Sequence, residues 1–305
     1  MTSSKLSPST VALLIIPPLL WAGNAVVGRW IAPQISPLLL NLLRWVLAGI
    51  IVLPWAWRVL RRGSALWQDK SWFTRLSLLS IGAYNALLYL ALQTSSPINV
   101  TLVSSSIPLW MLLLGWLFFG ARVQWHQLCG GLLSMAGVLV VLSRGDWQVL
   151  LHLKLVAGDG FVLAAAIAWA IYSWMLAKPS EASQPVRAQW ADFLLGQIVF
   201  GLGWCALSAG GEWAMGASVW QPSWGLWLAL AYIAVGPAVL AYALWGLGVK
   251  RAGPAAASLF INLMPLFTAL LSLLLLGEHP QLYHGTAFVL LVAGIVLSSL
   301  QSSRP

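Results

Sequence analysis

Side chains able to hydrogen-bond or stack recur at helical intervals inside otherwise apolar stretches of this 305-residue chain. Asn85, Tyr89 and Gln93 stand at i, i+4 and i+8, and Trp21 and Asn24 at i and i+3. Trp169 with Tyr172 and Tyr242 with Trp245 repeat the three-residue step, as do Ser105 with Pro108 and Asn262 with Pro265. Amides, hydroxyls, indoles and phenols in this pattern suit recognition of a small amphipathic solute. Interhelical packing explains any one stripe taken alone. Stripes on six apolar stretches together favour a shared cavity.

Covalent chemistry has little to work with. The four histidines include no i, i+4 pair, the seven acids are scattered, and no Walker A sequence occurs. An intramembrane enzyme or an ATP-driven pump is therefore disfavoured, and no cofactor is expected. Cys129 and Cys205 read as small apolar fillers, with neither a disulfide framework nor metal spacing around them. A scaffold would need larger loops, and a channel a continuous polar pore.

The elements that must carry these residues are membrane helices. Sixty per cent of the chain is hydrophobic and 8% charged, and residues 6–28, 76–121, 213–249 and 252–277 hold no charge. About 20 apolar residues cross a hydrocarbon core. Cutting the runs at turn signals predicts ten spans, near 9–29, 36–57, 72–93, 97–119, 124–143, 156–177, 186–208, 224–246, 254–276 and 281–300. The first reads as a retained helix, not a signal peptide. The net charge of +9 does not call for nucleic acid. Twelve Lys and Arg fall in segments on the side of the N-terminus and only Arg29, Arg144 and Lys154 on the other. That bias places both termini in the cytoplasm, with anionic lipids as counterions. Many tryptophans, among them Trp55, Trp57, Trp72, Trp125 and Trp224, fall near span ends as an interface belt would.

Two segments repeat. Pro97, Pro108 and Gly120 recur 157 positions later as Pro254, Pro265 and Gly277, and Ser105 is matched by Asn262. At a shift of 148, Trp21 matches Trp169 and Arg44 matches Asp192. Residues 1–148 and 149–305 thus read as two halves of five spans each. An odd number inverts the second half relative to the first. Pro108 and Pro265 then both lie roughly 16 Å into their spans, near the midplane. Each removes an N–H, which frees the carbonyls of Ser104 and Ile261 for side chains or a ligand. Arg44 and Asp192 fall on opposite sides of the midplane. Arg44 is a candidate carboxylate or gate contact, with snorkelling as the alternative. Asp192 is a candidate gate or proton carrier. Asp159, Glu278, His126 and His284 are expected at solvated span ends.

The chain resembles EamA-type members of the drug/metabolite transporter superfamily over about residues 10–300. The resemblance rests on Trp21-Ala22-Gly23-Asn24, Leu43-Arg44-Trp45, Pro97 to Pro108 before Gly120, Gly158-Asp159, Trp169-Ala170, Pro254, Pro265 and Gly277-Glu278. Gly120-Ala121 departs from the family pattern, in which an acid often follows the glycine. The resemblance implies an all-α integral membrane protein of ten helices, arranged as two inverted five-helix repeats around a central cavity. It also implies export of small metabolites, commonly amino acids, across a bacterial inner membrane. The aromatic walls suggest aromatic or apolar amino acids. Nucleobases, xenobiotics and an uncoupled facilitator are the alternatives. The expected partners are the solute and membrane lipids, and a monomer suffices.

Overall fold

The computed structural model describes residues 7–91, 94–95, 97–154, 156–276 and 281–299, and among them the regular structure is helical apart from one antiparallel bridge between Ile35 and Trp220. Gln93, Gly277 and Glu278 lie outside the described residues. The α-helices longer than four residues are α1 (Pro8–Ile31), α2 (Pro37–Ala56), α3 (Lys70–Ser77), α4 (Asn85–Ala91), α5 (Pro97–Ser104), α6 (Ile107–Phe119) and α7 (Trp125–Ser143). There follow α8 (Ala157–Ala177), α9 (Trp190–Ala214), α10 (Trp224–Ile233), α11 (Ala241–Ala252), α12 (Pro254–Ser258), α13 (Met264–Leu276) and α14 (Leu282–Ser299). Among the described residues, eight helical stretches are long and apolar enough to cross a membrane. The stretches expected at 72–93 and 97–119 are instead built of shorter pieces: α3 and α4 joined by a π-turn, and α5 and α6 joined by a break at Ser105-Ser106.

Large apolar side chains such as Trp116, Phe118, Leu207 and Val289 point out of the bundle, the arrangement suited to hydrocarbon on the outside. Trp55, Trp125 and Trp224 are exposed at helix ends, as an interface belt requires. Trp72 is not part of it. It is buried against Phe73 and Phe193, with ring centroids 5.1 and 6.2 Å away.

Close helix approach is bought with missing side chains. A Cβ on Gly130 of α7 would stand 2.6 Å from the Gly294 carbonyl oxygen of α14, and a Cβ on Gly294 would stand 2.6 Å from that of Gly130. One on Gly137 would meet the Ala287 carbonyl at 3.1 Å. Small residues at such crossings let backbones touch where no hydrophobic force drives association. Gly28 and Gly246 face open space instead.

Two carboxylates that the sequence gives little weight hold helix starts. α2 opens at Pro37 with no side-chain cap from Ser36. Glu212 of α9 fills that role from outside: Leu38 and Leu39 N–H donate to it at 3.2 and 3.1 Å, and the Ser36 hydroxyl at 2.6 Å. A buried anion there meets both the free N–H groups and the positive helix end. Asp159 is buried too, not solvated as expected. It accepts the Val156 N–H at 2.8 Å and the Ser95 hydroxyl. Gly158 permits this, because a Cβ there would lie 2.6 Å from the Ala91 carbonyl.

Glu212→Ala leaves three donors without their acceptor and is expected to cost about 2–4 kcal/mol, with Glu212→Gln costing less. Thermal unfolding in detergent measures this, and an unchanged midpoint in the alanine variant would contradict the capping role.

Candidate functional site

The centre of the bundle is organised by two π-turns. Residues Leu78–Tyr84 join α3 to α4, and Ala234–Leu240 join α10 to α11. A π-turn shifts the backbone ladder from i→i−4 to i→i−5 and leaves carbonyls in need of donors. In the second turn Pro237 removes an N–H. In the first, side chains enter the ladder. Asn85 Nδ2 donates to Ser80 O at 3.4 Å, Asn41 Nδ2 to Ile81 O at 3.1 Å, and the Tyr242 hydroxyl to Ser80 O at 3.5 Å. Trp21 Nε1 donates to the Pro237 carbonyl at 3.2 Å, which ties α1 to the second turn. Asn85 Nδ2 also reaches the Tyr242 oxygen at 3.4 Å and so joins the two turns.

Around these bonds lies one aromatic cluster. Trp169 on α8 is its hub, with ring centroids 5.3 Å from Trp21, 5.0 Å from Tyr172, 5.6 Å from Tyr242 and 5.6 Å from Trp245. Most of these contacts are edge-on or tilted, the geometry that aromatic quadrupoles favour. Trp169, Tyr172 and Trp245 are buried, and Trp21 is half-buried. Two further rings belong to the cluster though neither stands among the candidate site residues of the sequence. Tyr84 lies 4.7 Å from Trp169, and Trp45 lies 4.8 Å from Tyr242. Trp45 follows Arg44 on the helix, and Tyr84 precedes Asn85, so adjacency to chosen polar residues was the available signal. Asn41, one turn before Arg44, was available on the same ground.

Arg44 is buried, which rules out snorkelling. Its Nη1 donates to Asn85 Oδ1 and to the Tyr89 oxygen, both at 3.3 Å, and its guanidinium lies 5.3 Å from the Trp45 ring centroid. Asn24 shares the interior through an amide oxygen that is buried without a donor. Trp21, Asn85, Tyr89, Trp169, Tyr172, Tyr242 and Trp245, from four of the stripes, therefore lie around one centre, and Arg44 joins them through Asn85 and Tyr89.

The proline breaks share the core of the aromatic residues through Ile107, Phe260 and Ile261, but their polar groups bond elsewhere. The Ile261 carbonyl, expected to be free, accepts the Met264 N–H in a tightened turn, Leu259–Leu263. Asn262 Nδ2 donates instead to Ser134 Oγ on α7 at 3.1 Å. On the other side, the Ser106 hydroxyl donates to Val103 O at 2.6 Å. Ser105 and Pro108 are buried, and a Cβ on Gly131 of α7 would stand 4.0 Å from Pro108. Pro265 is the second residue of α13. Asp192 is also corrected. Because α9 starts at Trp190 rather than near 186, this acid sits in the first turn, beside a cavity of about 270 Å³ lined by Arg58, Arg61 and Ser64. It lies at one end of the bundle, away from the aromatic centre.

Residues 8–143 and 156–300 each match the EamA-like transporter family. The chain is 26% identical over 221 residues to the aromatic amino acid exporter YddG of Ancylobacter novellus, covering 72% of this chain and 73% of that one. It is 25% identical over 306 residues to an uncharacterized transporter of Archaeoglobus fulgidus, covering 98% and 100%. It is 23% identical over 208 residues to a probable terminal-alkyne amino-acid exporter of Streptantibioticus cattleyicolor, covering 65% and 63%. A crystal structure at 22% identity superposes with a TM-score of 0.74 over 95% of this chain and 96% of that one, so the fold is shared.

Asn41→Leu removes the donor to Ile81 O while keeping bulk. It is expected to lower stability by about 0.5–2 kcal/mol. Thermal denaturation in detergent checks it, and a variant as stable as the parent would show that the turn does not depend on this amide.

Proposed function

The chain belongs to the EamA-like transporter family, and from that premise we propose that it exports small metabolites, namely amino acids with aromatic or apolar side chains, by alternating access. The coarser statement, a multi-pass membrane transporter, follows from the family and from the eight apolar helices among the described residues. The observation that carries the finer reading is the aromatic cluster around Trp169, bordered by Arg44, Asn85 and Tyr89. Indole and phenol rings give an apolar side chain a surface to pack on, and the amides and guanidinium are suited to its polar end. The names of two relatives, an aromatic amino acid exporter and a probable terminal-alkyne amino-acid exporter, support the same class.

In this reading the chain crosses the membrane ten times, as two five-helix halves of opposite orientation that rock about the centre. Matched features support it. The π-turns start at Leu78 and Ala234, 156 positions apart, and Asn85 is bonded to Tyr242, its match at 157. A shift of 157 also turns the Gly130–Gly294 contact into the Ala287–Gly137 contact. That exchange is what a two-fold axis between α7 and α14 produces. The skew of Lys and Arg supports both termini in the cytoplasm, and the bacterial relatives support an inner membrane.

Counterflow in proteoliposomes tests the substrate class. Vesicles loaded with an aromatic or branched-chain amino acid are expected to take up the labelled compound, and vesicles loaded with nucleobases are not. Exchange of nucleobases alone would overturn the assignment.

A further inference from the structure

We infer that Arg44 is the anchor for a carboxylate on the transported solute, an inference that rests on the transport reading and assigns the charge of its substrate. Arg44 stands eight residues into α2, about 10 Å from the helix start. It is 1% exposed. A buried guanidinium is a cation that needs anionic or polar acceptors. Its protein partners are nevertheless neutral: the Asn85 amide oxygen and the Tyr89 hydroxyl, both on Nη1. Among the described residues no carboxylate pairs with it. Glu212 is committed to Ser36, Leu38 and Leu39, and Asp159 to Ser95 and Val156. Asp192 lies in the cavity beside Arg58 and Arg61.

The free side of the guanidinium is the informative one. Nε is buried with no acceptor, and the contacts to Asn85 and Tyr89 both use Nη1. Nε is thus the donor left for an outside anion, and together with Nη2 it is the edge of a guanidinium that grips a carboxylate with two parallel N–H···O bonds. An unpaired buried charge is costly, and a carboxylate placed there removes that cost. The aromatic surface lies alongside, since Trp45 stacks under Arg44 and meets Tyr242 at 4.8 Å. Asn41, three residues earlier on the same helix face, has a buried amide oxygen without a donor. An ammonium group satisfies such an acceptor. A zwitterionic amino acid carries a partner for each group, whereas a cationic amine carries one for Asn41 and none for Arg44, whose charge repels it.

The test is equilibrium binding to the full-length protein in nanodiscs by calorimetry. The probes are L-tryptophan and L-leucine, their amides, and the decarboxylated amines tryptamine and isoamylamine. At least one amino acid is expected to bind about tenfold or more tighter than its amide and its amine. Arg44→Gln is expected to abolish that preference, and Arg44→Lys to keep part of it. Three results overturn the inference: the amines binding as tightly as the amino acids, Arg44→Gln retaining the preference, or no probe binding at all. The first and third need only the unmutated protein, so a misfolded variant does not shelter the claim. Flux in vesicles separates the two readings. Discrimination without flux leaves the carboxylate site standing and removes the transport reading. Flux without discrimination does the reverse.

Discussion

Inside hydrocarbon, a backbone carbonyl that loses its helical N–H partner must find another donor. The interior of this protein is arranged around that requirement. At the π-turns Leu78–Tyr84 and Ala234–Leu240, side chains from α1, α2, α4 and α11 converge on the carbonyls of Ser80, Ile81 and Pro237 and donate to them. Those donors are the same Trp21, Asn85 and Tyr242 that build the aromatic centre. Backbone satisfaction and the candidate binding surface are therefore one structure. A change at the surface that removes a donor also loosens the backbone beneath it.

The ionisable groups follow a related logic. Burial of Glu212 and Asp159 is tolerable because each meets donors at a helix start, where the helix end itself is positive. Arg44 has no equivalent. Neutral oxygens meet only one nitrogen of its fork, in the part of the bundle where the rings gather. The difference between a capped anion and an uncapped cation separates groups that hold helices from the residue proposed as the solute's anchor.

Much of this was legible in the sequence where the signal was periodic. Trp169 with Tyr172 and Tyr242 with Trp245 fell on shared faces, and the structure brings all four together. Pro97 and Pro254 do open helices, and the helices do lose regular geometry within two turns. The consequence drawn from that break was wrong in detail. A tightened turn lets the Ile261 carbonyl bond three residues ahead, so no side chain or ligand is required there. The π-turns were illegible because the first contains no proline and only one glycine, and its cause is a set of donors from distant segments. Glu212 was missed for a similar reason. An acid near a span end looks solvated until the helix that approaches it is known.

The central claim is that the aromatic cluster and Arg44 form one binding site. A structure determined with the fastest-exchanging amino acid bound tests it most directly. The account predicts density for its side chain against Trp169 and Tyr242, with its carboxylate on the Nε edge of Arg44. Density at the Ser105-Ser106 break, or in the cavity between Arg58 and Asp192, with the centre empty, would contradict it.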